Sequence, residues 1–310
     1  MRIPVQELFD TAYGKYGIGA FNVFNAEQVQ GVFRGAMKAK APVIVQLTPV
    51  ALNYIHPEML DGIITAAEKI YPEVKFTVHL DHGTFDHCMK AIDSGYYQSV
   101  MIDASNESIS ENIRITKEVV KKAHPKSISV EAELGVLSGV EGHLAVDKSK
   151  ALYTDPEEAV YFVRQTECDS LAVAVGTSHG AYKFSGGKGL WLSILAEIQK
   201  QLPRFPLVLH GASTVPAGEI TRINHAGGRI SAEAKGVDDN ELLMAIRYGV
   251  SKINIATDMR LIWTRVHREF FRDASDKIDM VIPGKEYMNA LESFVADKCI
   301  FLMGKQENGI

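Results

Sequence analysis

The sequence predicts an α/β protein built as a single (β/α)8 TIM barrel, with a helical C-terminal extension over roughly residues 261–310. Eight short apolar segments alternate with helix-like segments along most of the 310-residue chain. Such alternation implies parallel strands joined by right-handed crossovers. A length near 300 residues is usual for a closed barrel in one domain. An open, doubly wound sheet is the alternative, but it more often contains fewer strands.

The predicted strands are short, apolar and rich in β-branched residues, as expected of strands covered by helices. They are Ile18–Val23, Pro42–Leu47, Lys75–Leu80, Ser99–Ile102, Ser127–Ala132, Ser170–Val175, Leu207–His210 and Lys252–Ile255. The helix-like segments are Ala26–Lys40, Glu58–Ile70, Phe85–Ser94, Glu107–Ala123, Pro156–Gln165, Leu190–Lys200 and Asn240–Tyr248. Asn25, Asp155-Pro156 and Asp239 provide capping signals at three helix starts.

Two segments depart from this alternation. Gly135–Thr154 is rich in glycine, serine and charge, and we predict that it is a mobile loop after the fifth strand. The tail from Trp263 onward is predicted to be helical with a break at Pro283-Gly284. We expect the tail to cover the barrel or to contact another subunit of a homodimer or homotetramer.

Composition and charge exclude some classes of partner. The formal net charge is −5, so neither nucleic acid nor an anionic membrane is the expected partner, and local positive charge must capture any anionic substrate. The three cysteines are far apart and form no C-x-x-C pair, which indicates a reducing, cytoplasmic location. No secretion signal and no apolar run long enough to span a membrane is evident.

Polar, chemically active residues recur at the predicted carboxyl ends of the strands, where barrel enzymes place their functional groups. In chain order they are Asp81 and His82, Asp103, Glu133, His179, His210 and Asn254. Three histidines, His82, His179 and His210, could hold a catalytic zinc ion with one open position. His79 is expected to point to the opposite side of its strand from Asp81 and is the weaker ligand candidate.

The carboxylates admit more than one role. Asp103 and Glu133 either orient the metal-bound histidines or form a secondary metal position. Asp81 adjoins His82, so the two share a direction only if the backbone turns, which Gly83 permits. We predict that Asp81 is an acid or base near the metal.

A second group of residues predicts an anion site. Gly180, the Gly211-Ala212-Ser213 turn and the segment Asn254–Thr257 follow the sixth, seventh and eighth strands. Backbone amides in these loops commonly bind phosphate, and Lys183 would add a full positive charge.

Four motifs together resemble the class II, zinc-dependent fructose-1,6-bisphosphate aldolase family. They are Leu80-Asp81-His82-Gly83, Gly176–Phe184, Leu209–Ser213 and Lys252–Ile255. The resemblance extends from Gly19-Ala20-Phe21-Asn22 to Asp258-Met259-Arg260. It implies the same barrel fold that the strand count predicts.

The resemblance also implies roles for individual residues. His82, His179 and His210 match the zinc ligands, and Asp103 and Glu133 match carboxylates for a second divalent metal or an alternate zinc position. Asp81 matches the acid/base at the C4 hydroxyl, and Glu141 matches the loop residue that transfers the C3 proton while zinc stabilises the enediolate. The residues matching substrate contacts are Asn22, Thr48, Gly180, Lys183, Gly211, Ala212, Ser213, Asn254, Ala256, Thr257 and Arg260. A monovalent cation, Na⁺ or K⁺, often lies beside the phosphate site of relatives.

One position departs from the family pattern. Many relatives have Asp where this chain has Ala256, so a side-chain contact to substrate hydroxyls is lost there while the backbone amide remains. Arg260 resembles the residue that binds the far phosphate in one branch of the family, or else is an exposed arginine at a helix start.

The expected reaction is reversible cleavage of D-fructose 1,6-bisphosphate to dihydroxyacetone phosphate and D-glyceraldehyde 3-phosphate. Alternatives remain open at this point. They are a tagatose-1,6-bisphosphate aldolase, a Schiff-base aldolase using Lys183, a metal-dependent amidohydrolase, and a non-catalytic barrel that binds metal or phosphate. The amidohydrolase is disfavoured because no H-x-H motif ends the first strand.

Overall fold

The computed structural model describes residues 1–136, 139–141, 144–146, 152–177, 189–231 and 236–304, with the backbone alone at 139–141 and 144–146. The strands of this part of the chain are β1 (Ile18–Asn22), β2 (Val43–Leu47), β3 (Phe76–Gly83), β4 (Ser99–Ile102), β5 (Ser129–Leu134), β6 (Gly139–Glu141), β7 (Leu144–Val146), β8 (Ser170–Val173), β9 (Leu207–Leu209) and β10 (Val250–Ile255). Eight of them form a closed barrel in the order β1-β10-β9-β8-β5-β4-β3-β2. All eight pairings are parallel, which confirms the predicted barrel and excludes the open sheet.

Helices follow or precede the barrel strands as predicted. They are α1 (Val5–Ala12), α2 (Ala26–Ala39), α3 (Pro49–Tyr54), α4 (Pro57–Ile70), α5 (Phe85–Ser94), α6 (Ile109–Ala123), α7 (Pro156–Thr166), α8 (Leu192–Gln201), α9 (Ala217–His225), α10 (Asp239–Arg247), α11 (Thr257–Asp273) and α12 (Val281–Leu302), with a 3₁₀ turn at His124–Lys126. Asn25 and Asp155 accept bonds from backbone amides and cap α2 and α7 as expected. The cap of α10 is Asp238, one residue before the predicted Asp239. Within the described part of the chain, none of the helices combines the length and the hydropathy of a membrane-spanning segment.

The C-terminal extension is helical, but its break lies elsewhere than predicted. The chain leaves helical geometry between α11 and α12, over residues 274–280, whereas Pro283 is the third residue of α12. The amides of a first helical turn have no acceptor within the helix, so proline is tolerated there. The expected break at Pro283-Gly284 is therefore wrong.

Helix α12 packs closely against α2 because two glycines of α2 leave room for it. A Cβ atom built on Gly35 would lie 2.6 Å from the Cβ atom of Val295 and 2.7 Å from the carbonyl oxygen of Glu292. A Cβ atom on Gly31 would lie 2.8 Å from Leu291. Helix α12 of the C-terminal extension therefore packs against α2 with the two helix backbones in close contact.

The long segment after β5 contains regular structure that the sequence does not predict. Strands β6 and β7 pair antiparallel, with Glu141 opposite Leu144. Val136 and Leu152 also exchange backbone hydrogen bonds at the base of the segment. An antiparallel hairpin therefore lies within the segment that follows β5.

Candidate active site

His82, at the carboxyl end of the barrel, has an unusual backbone conformation. On β3 the register with β4 passes from Leu80–Val100 to Gly83–Ile102, so Asp81 and His82 together oppose one residue. This is a β-bulge, and His82 adopts a positive φ of 50° within it. Such a conformation costs a non-glycine residue of order 1–3 kcal/mol and is concentrated at functional sites. The predicted turn that lets Asp81 and His82 face one site occurs at His82 itself, and not at Gly83.

The bulge brings His82 into contact with His210, which directly follows β9. The Nε2 atom of His82 lies 2.9 Å from the Nδ1 atom of His210, and the two rings are nearly perpendicular. Both side chains are buried, with residue exposures of 4% and 0%. Two of the three histidines that the sequence predicts as ligands are therefore adjacent.

The remaining nitrogen of each imidazole lies against a carboxylate. His82 Nδ1 is 2.9 Å from Asp103 Oδ2, and His210 Nε2 is 2.9 Å from Glu131 Oε1. A carboxylate accepts a proton donated by the ring, which leaves the lone pair of the opposite nitrogen directed at the neighbouring histidine. Two lone pairs at this distance repel unless a proton or a metal ion lies between them. The pair of histidines is thus arranged to receive a cation.

The electrostatics of the pair agree with this arrangement. Burial alone lowers the pKa of His82, but the charge of Asp81 and the hydrogen bond and charge of Asp103 outweigh burial and raise that pKa well above its usual value. Burial alone would raise the pKa of Asp103, yet His82 and Ser105 lower it below the usual range. A positive charge between His82 and His210 is therefore stabilised by the carboxylates of Asp81 and Asp103.

Glu133 adds a possible metal-ligand atom that has no hydrogen-bond partner within the described residues. Its Oε2 atom is buried, makes no hydrogen bond and lies 3.8 Å from His82 Nδ1. Burial, followed by the charge of Asp103, raises the pKa of this carboxyl group well above its usual value. An unsatisfied buried carboxylate oxygen is costly and is the kind of atom that a cation would satisfy.

The donor set suits a transition-metal ion such as zinc. Two groups have their candidate ligand atoms within 4.8 Å of one another: Asp81, His82 and His210, and then His82, Asp103 and Glu133. Tetrahedral zinc with bonds of about 2.0–2.1 Å separates two ligand nitrogens by roughly 3.3 Å, so the imidazoles need only about 0.4 Å of adjustment. These residues fit the metal, and His82 is shared by both groups.

Asp81 is held rigidly beside the histidines by two amides. Its Oδ2 atom accepts from Asn22 Nδ2 at 2.8 Å, and its Oδ1 atom accepts from Asn254 Nδ2 at 3.1 Å. Gln46 Nε2 in turn donates to Asn22 Oδ1 at 3.0 Å, which fixes the orientation of that amide. Gln46 was not predicted from the sequence, because it lies inside β2 and not after its end.

A charged layer, which was not predicted from the sequence either, lies inside the barrel below His82 and His210. Lys252 Nζ is 2.7 Å from Glu131 Oε2 and 3.1 Å from His79 Nε2, and His79 Nδ1 is 2.9 Å from Ser99 Oγ. Burial, and then the charge of Lys252, lowers the pKa of His79 well below its usual value, so the ring is neutral. The expectation that His79 points away from Asp81 is wrong, because residues two apart on a strand share a face.

The predicted phosphate loop is stabilised from within. Gly211 has a positive φ of 60°, and the Oγ atom of Ser213 accepts from the amides of Ala256 and Thr257 at 3.4 Å and 3.2 Å. Asp258 accepts from the amides of Thr214 and Val215 at 3.0 Å and 2.8 Å. The sequence therefore brings Gly211, Ala212 and Ser213 against the start of α11, with Asp258 as an anchor that was not predicted.

Two predicted substrate contacts lie at the rim. Thr48 is buried, and its hydroxyl caps α3 by accepting from the amide of Ala51 at 3.3 Å. Arg260 is exposed in the first turn of α11, with its guanidinium carbon 5.8 Å from the ring centre of Phe24. Both positions are compatible with the open end of the barrel.

Several predicted residues cannot be placed. His179, Gly180 and Lys183 lie outside the described residues. Glu141 is the last residue of β6, paired with Leu144, and only its backbone is described.

Together the fold and the site define a class of protein: a (β/α)8 barrel enzyme with a histidine and carboxylate centre for a metal ion at the carboxyl ends of its strands. The sequence profile of the family described as fructose-bisphosphate aldolase class-II matches residues 3–307, and the chain belongs to this family.

Individual relatives agree with this family. A fructose-bisphosphate aldolase of Giardia intestinalis is 42% identical over 276 residues, which cover 88% of this chain and 84% of the relative. A fructose-bisphosphate aldolase of Thermus caldophilus is 45% identical over 255 residues, 82% of each chain. Among solved structures, the YdjI aldolase of Escherichia coli K12 superposes with a TM-score of 0.78 at 30% identity, with complete coverage of both chains.

Proposed function

We propose that this chain is a zinc-dependent aldolase that reversibly cleaves D-fructose 1,6-bisphosphate to dihydroxyacetone phosphate and D-glyceraldehyde 3-phosphate. The activity is that of the relatives named fructose-bisphosphate aldolase. One observation carries the proposal. The facing imidazoles of His82 and His210, each bonded on its other nitrogen to a carboxylate, lie beside Asp81, whose two oxygens are both held by amides.

The metal site is assigned to His82, His210 and His179. When bound, the zinc ion would act as a Lewis acid on substrate oxygens and stabilise the negative charge left by C3–C4 cleavage. Asp103 and Glu131 orient the two described histidines through their outer nitrogens. Asp103 and Glu133 are also assigned to a second divalent metal, and a monovalent cation, Na⁺ or K⁺, is assigned to the region of the phosphate loop.

Asp81 is assigned as the base. As the C3–C4 bond breaks, Asp81 takes the proton of the C4 hydroxyl, the C4 oxygen becomes the aldehyde carbonyl, and the electron pair of the bond remains on the three-carbon donor fragment. Glu141 then gives a proton to C3 of that fragment, and the roles reverse in condensation. Asn22 and Asn254 hold the Asp81 carboxylate in one orientation throughout, because each donates to a different oxygen.

Phosphate binding is assigned to the loops after the last three barrel strands. The groups are the Lys183 ammonium, the turn at Gly211, Ala212 and Ser213, and the backbone at Gly180, Ala256 and Thr257. The Oγ atom of Ser213 accepts from the amides of Ala256 and Thr257, so both N–H groups point toward one position. A phosphate oxygen can bind next to that position. Thr48 and Arg260 are assigned to a substrate hydroxyl and to the far phosphate.

A single experiment tests this function. Purified protein is assayed for triose phosphate release from fructose 1,6-bisphosphate before chelation, after chelation, and after zinc is restored. Activity that is lost with the chelator and recovered with zinc supports the proposal. Activity that survives chelation but is lost on borohydride treatment with substrate would instead indicate a Schiff base.

Substrate stereochemistry needs a second measurement. Tagatose 1,6-bisphosphate differs only at C4, and the continuation Ala181-Tyr182-Lys183 favours fructose. A higher kcat/KM on the tagatose isomer would reverse the assignment. A non-catalytic barrel would release no triose phosphate from either sugar.

We further propose that the chain works in the cytoplasm as a homodimer or homotetramer, and that residues 1–310 form a single catalytic domain. Light scattering of the purified protein measures its oligomeric state, and limited proteolysis tests for one domain.

A further inference from the structure

Lys252 is a buried cation that the proposed mechanism does not use. It is the third residue of β10, is 1% exposed, and contacts Glu131 and His79 inside the barrel. Removing a lysine ammonium from water is expensive, and a buried ion pair is often no more stabilising than apolar residues of the same volume. Stability alone is therefore a poor reason for a lysine at this position.

The position of Glu131 provides a better reason. Its two oxygens have different partners: Oε2 lies 2.7 Å from Lys252 Nζ, and Oε1 lies 2.9 Å from His210 Nε2. The carboxylate is 1% exposed, so no bulk water is available to orient it. Its direction toward His210 is set by the group that holds the second oxygen.

His79 completes the support of Lys252 from the other side. Its Nε2 atom is 3.1 Å from Lys252 Nζ, and its Nδ1 atom is 2.9 Å from Ser99 Oγ. The Nζ atom is thus held between β3 and β5, and its position does not depend on Glu131 alone.

We propose that Lys252 is a positioning residue for the metal site: by holding Oε2 of Glu131 it directs Oε1 to His210 and keeps the Nδ1 lone pair of His210 toward the metal. This inference rests on the proposed function, since it assumes that His210 is a zinc ligand. It also gives Lys252 a role other than that of a Schiff-base nucleophile, because its ammonium is occupied below the metal ligands.

The test measures zinc affinity directly, by competition with a chromophoric chelator, in the full-length protein without substrate. Removing one partner of a buried ion pair strongly destabilises a protein, whereas removing both is tolerated. The double substitution Glu131→Gln and Lys252→Met therefore checks the fold and should melt near the wild-type temperature. The single variants Lys252→Met and Glu131→Gln are measured beside it, and we expect each of the three to bind zinc about 10–100-fold more weakly than wild type. The double variant should bind zinc no more weakly than Glu131→Gln, because Lys252 acts through Glu131.

Two further variants separate positioning from general support of the fold. Lys252→Gln keeps an N–H donor for Glu131 without the charge, and we expect its zinc affinity to stay within roughly threefold of wild type, well short of the 10–100-fold loss typical of a missing supporting group. Thr77→Val is the matched control. Thr77 is a buried β3 residue, and its hydroxyl donates to the Ile3 carbonyl and not to Lys252, Glu131 or His79. This control variant should leave zinc affinity unchanged.

Zinc affinity within threefold of wild type in Lys252→Met would overturn the inference, as would losses in the two single variants that add in the double variant. A loss in Lys252→Gln equal to that in Lys252→Met would overturn it as well. These results leave the proposed function intact if the wild-type protein binds zinc and cleaves the sugar. Failure of the wild-type protein to bind zinc would instead refute the proposed function.

Discussion

Substituting Asp81 with asparagine separates two roles that the geometry alone would allow this residue. Asp81 belongs to one of the two groups that could hold a metal ion, together with His82 and His210. It is also the proposed base at the C4 hydroxyl. Asparagine keeps the size of the side chain but cannot accept a proton at neutral pH.

The expected loss can be worked from the contacts of Asp81. General base catalysis contributes about 10²–10⁴-fold, so kcat should fall by that factor, equivalent to about 3–5 kcal/mol in the activation free energy. Both oxygens of Asp81 accept from amide N–H groups. An asparagine therefore places one N–H group against another donor, which should lower the free energy of unfolding by about 1–3 kcal/mol.

The assay compares kcat, zinc content after dialysis, and the thermal midpoint of the variant with those of wild type. We expect Asp81→Asn to retain one zinc per chain while losing turnover. Asp103→Ala is the contrasting variant: it removes the acceptor of His82 Nδ1, so it should weaken zinc binding about 10–100-fold and recover activity in excess zinc. If Asp81→Asn loses zinc in proportion to its loss of turnover, Asp81 is a ligand and its assignment as the base is wrong.

Three other predictions concern different parts of the chain. His179→Ala should abolish turnover through loss of zinc, whereas Lys183→Ala should chiefly raise KM for the bisphosphate; an unchanged KM in the second variant would contradict the proposed phosphate contact. Gly35→Ala should lower the free energy of unfolding by about 1–3 kcal/mol, because its Cβ atom would meet α12 at 2.6–2.7 Å. Gly62→Ala, on an exposed face of α4 with no atom within 4 Å, should be neutral or stabilising by up to about 1 kcal/mol, and thermal melts compare the two. Burial raises the pKa of the thiols of Cys88, Cys168 and Cys299, so little thiolate forms at pH 8. A disulfide-exchange reagent should therefore label none of the three in the folded protein and all three after denaturation.

The fold could be predicted because the barrel strands are apolar throughout and regularly spaced. A helical periodicity can be recognised only over several turns, which is why the six-residue helix α3 was not predicted. The hairpin of β6 and β7 was missed for a related reason, since each strand has only three residues. Pro283 misled the placement of the helix break because proline is also typical of first turns.

The site could be predicted in part because strand-end residues are readable from the chain. The closeness of His82 to His210 follows from a bulge, however, and a bulge depends on the register between β3 and β4. Lys252 and Glu131 meet across the barrel because of strand tilt and stagger, which set the level of each inward residue. Neither the register between two strands nor their tilt and stagger is encoded in the local pattern of a single strand.

Closure of the barrel also constrains how the protein is made. The ring is completed when β1 pairs with β10, with Gly19 opposite Ile253. At about 5–20 residues per second, a ribosome needs roughly 12–47 s to synthesise the stretch between these partners. During that interval β1 presents one unpaired edge, and exposed strand edges invite pairing with other chains. The nascent chain is thus expected to depend on molecular chaperones until β10 has emerged, and slower translation of the last third should increase its aggregation.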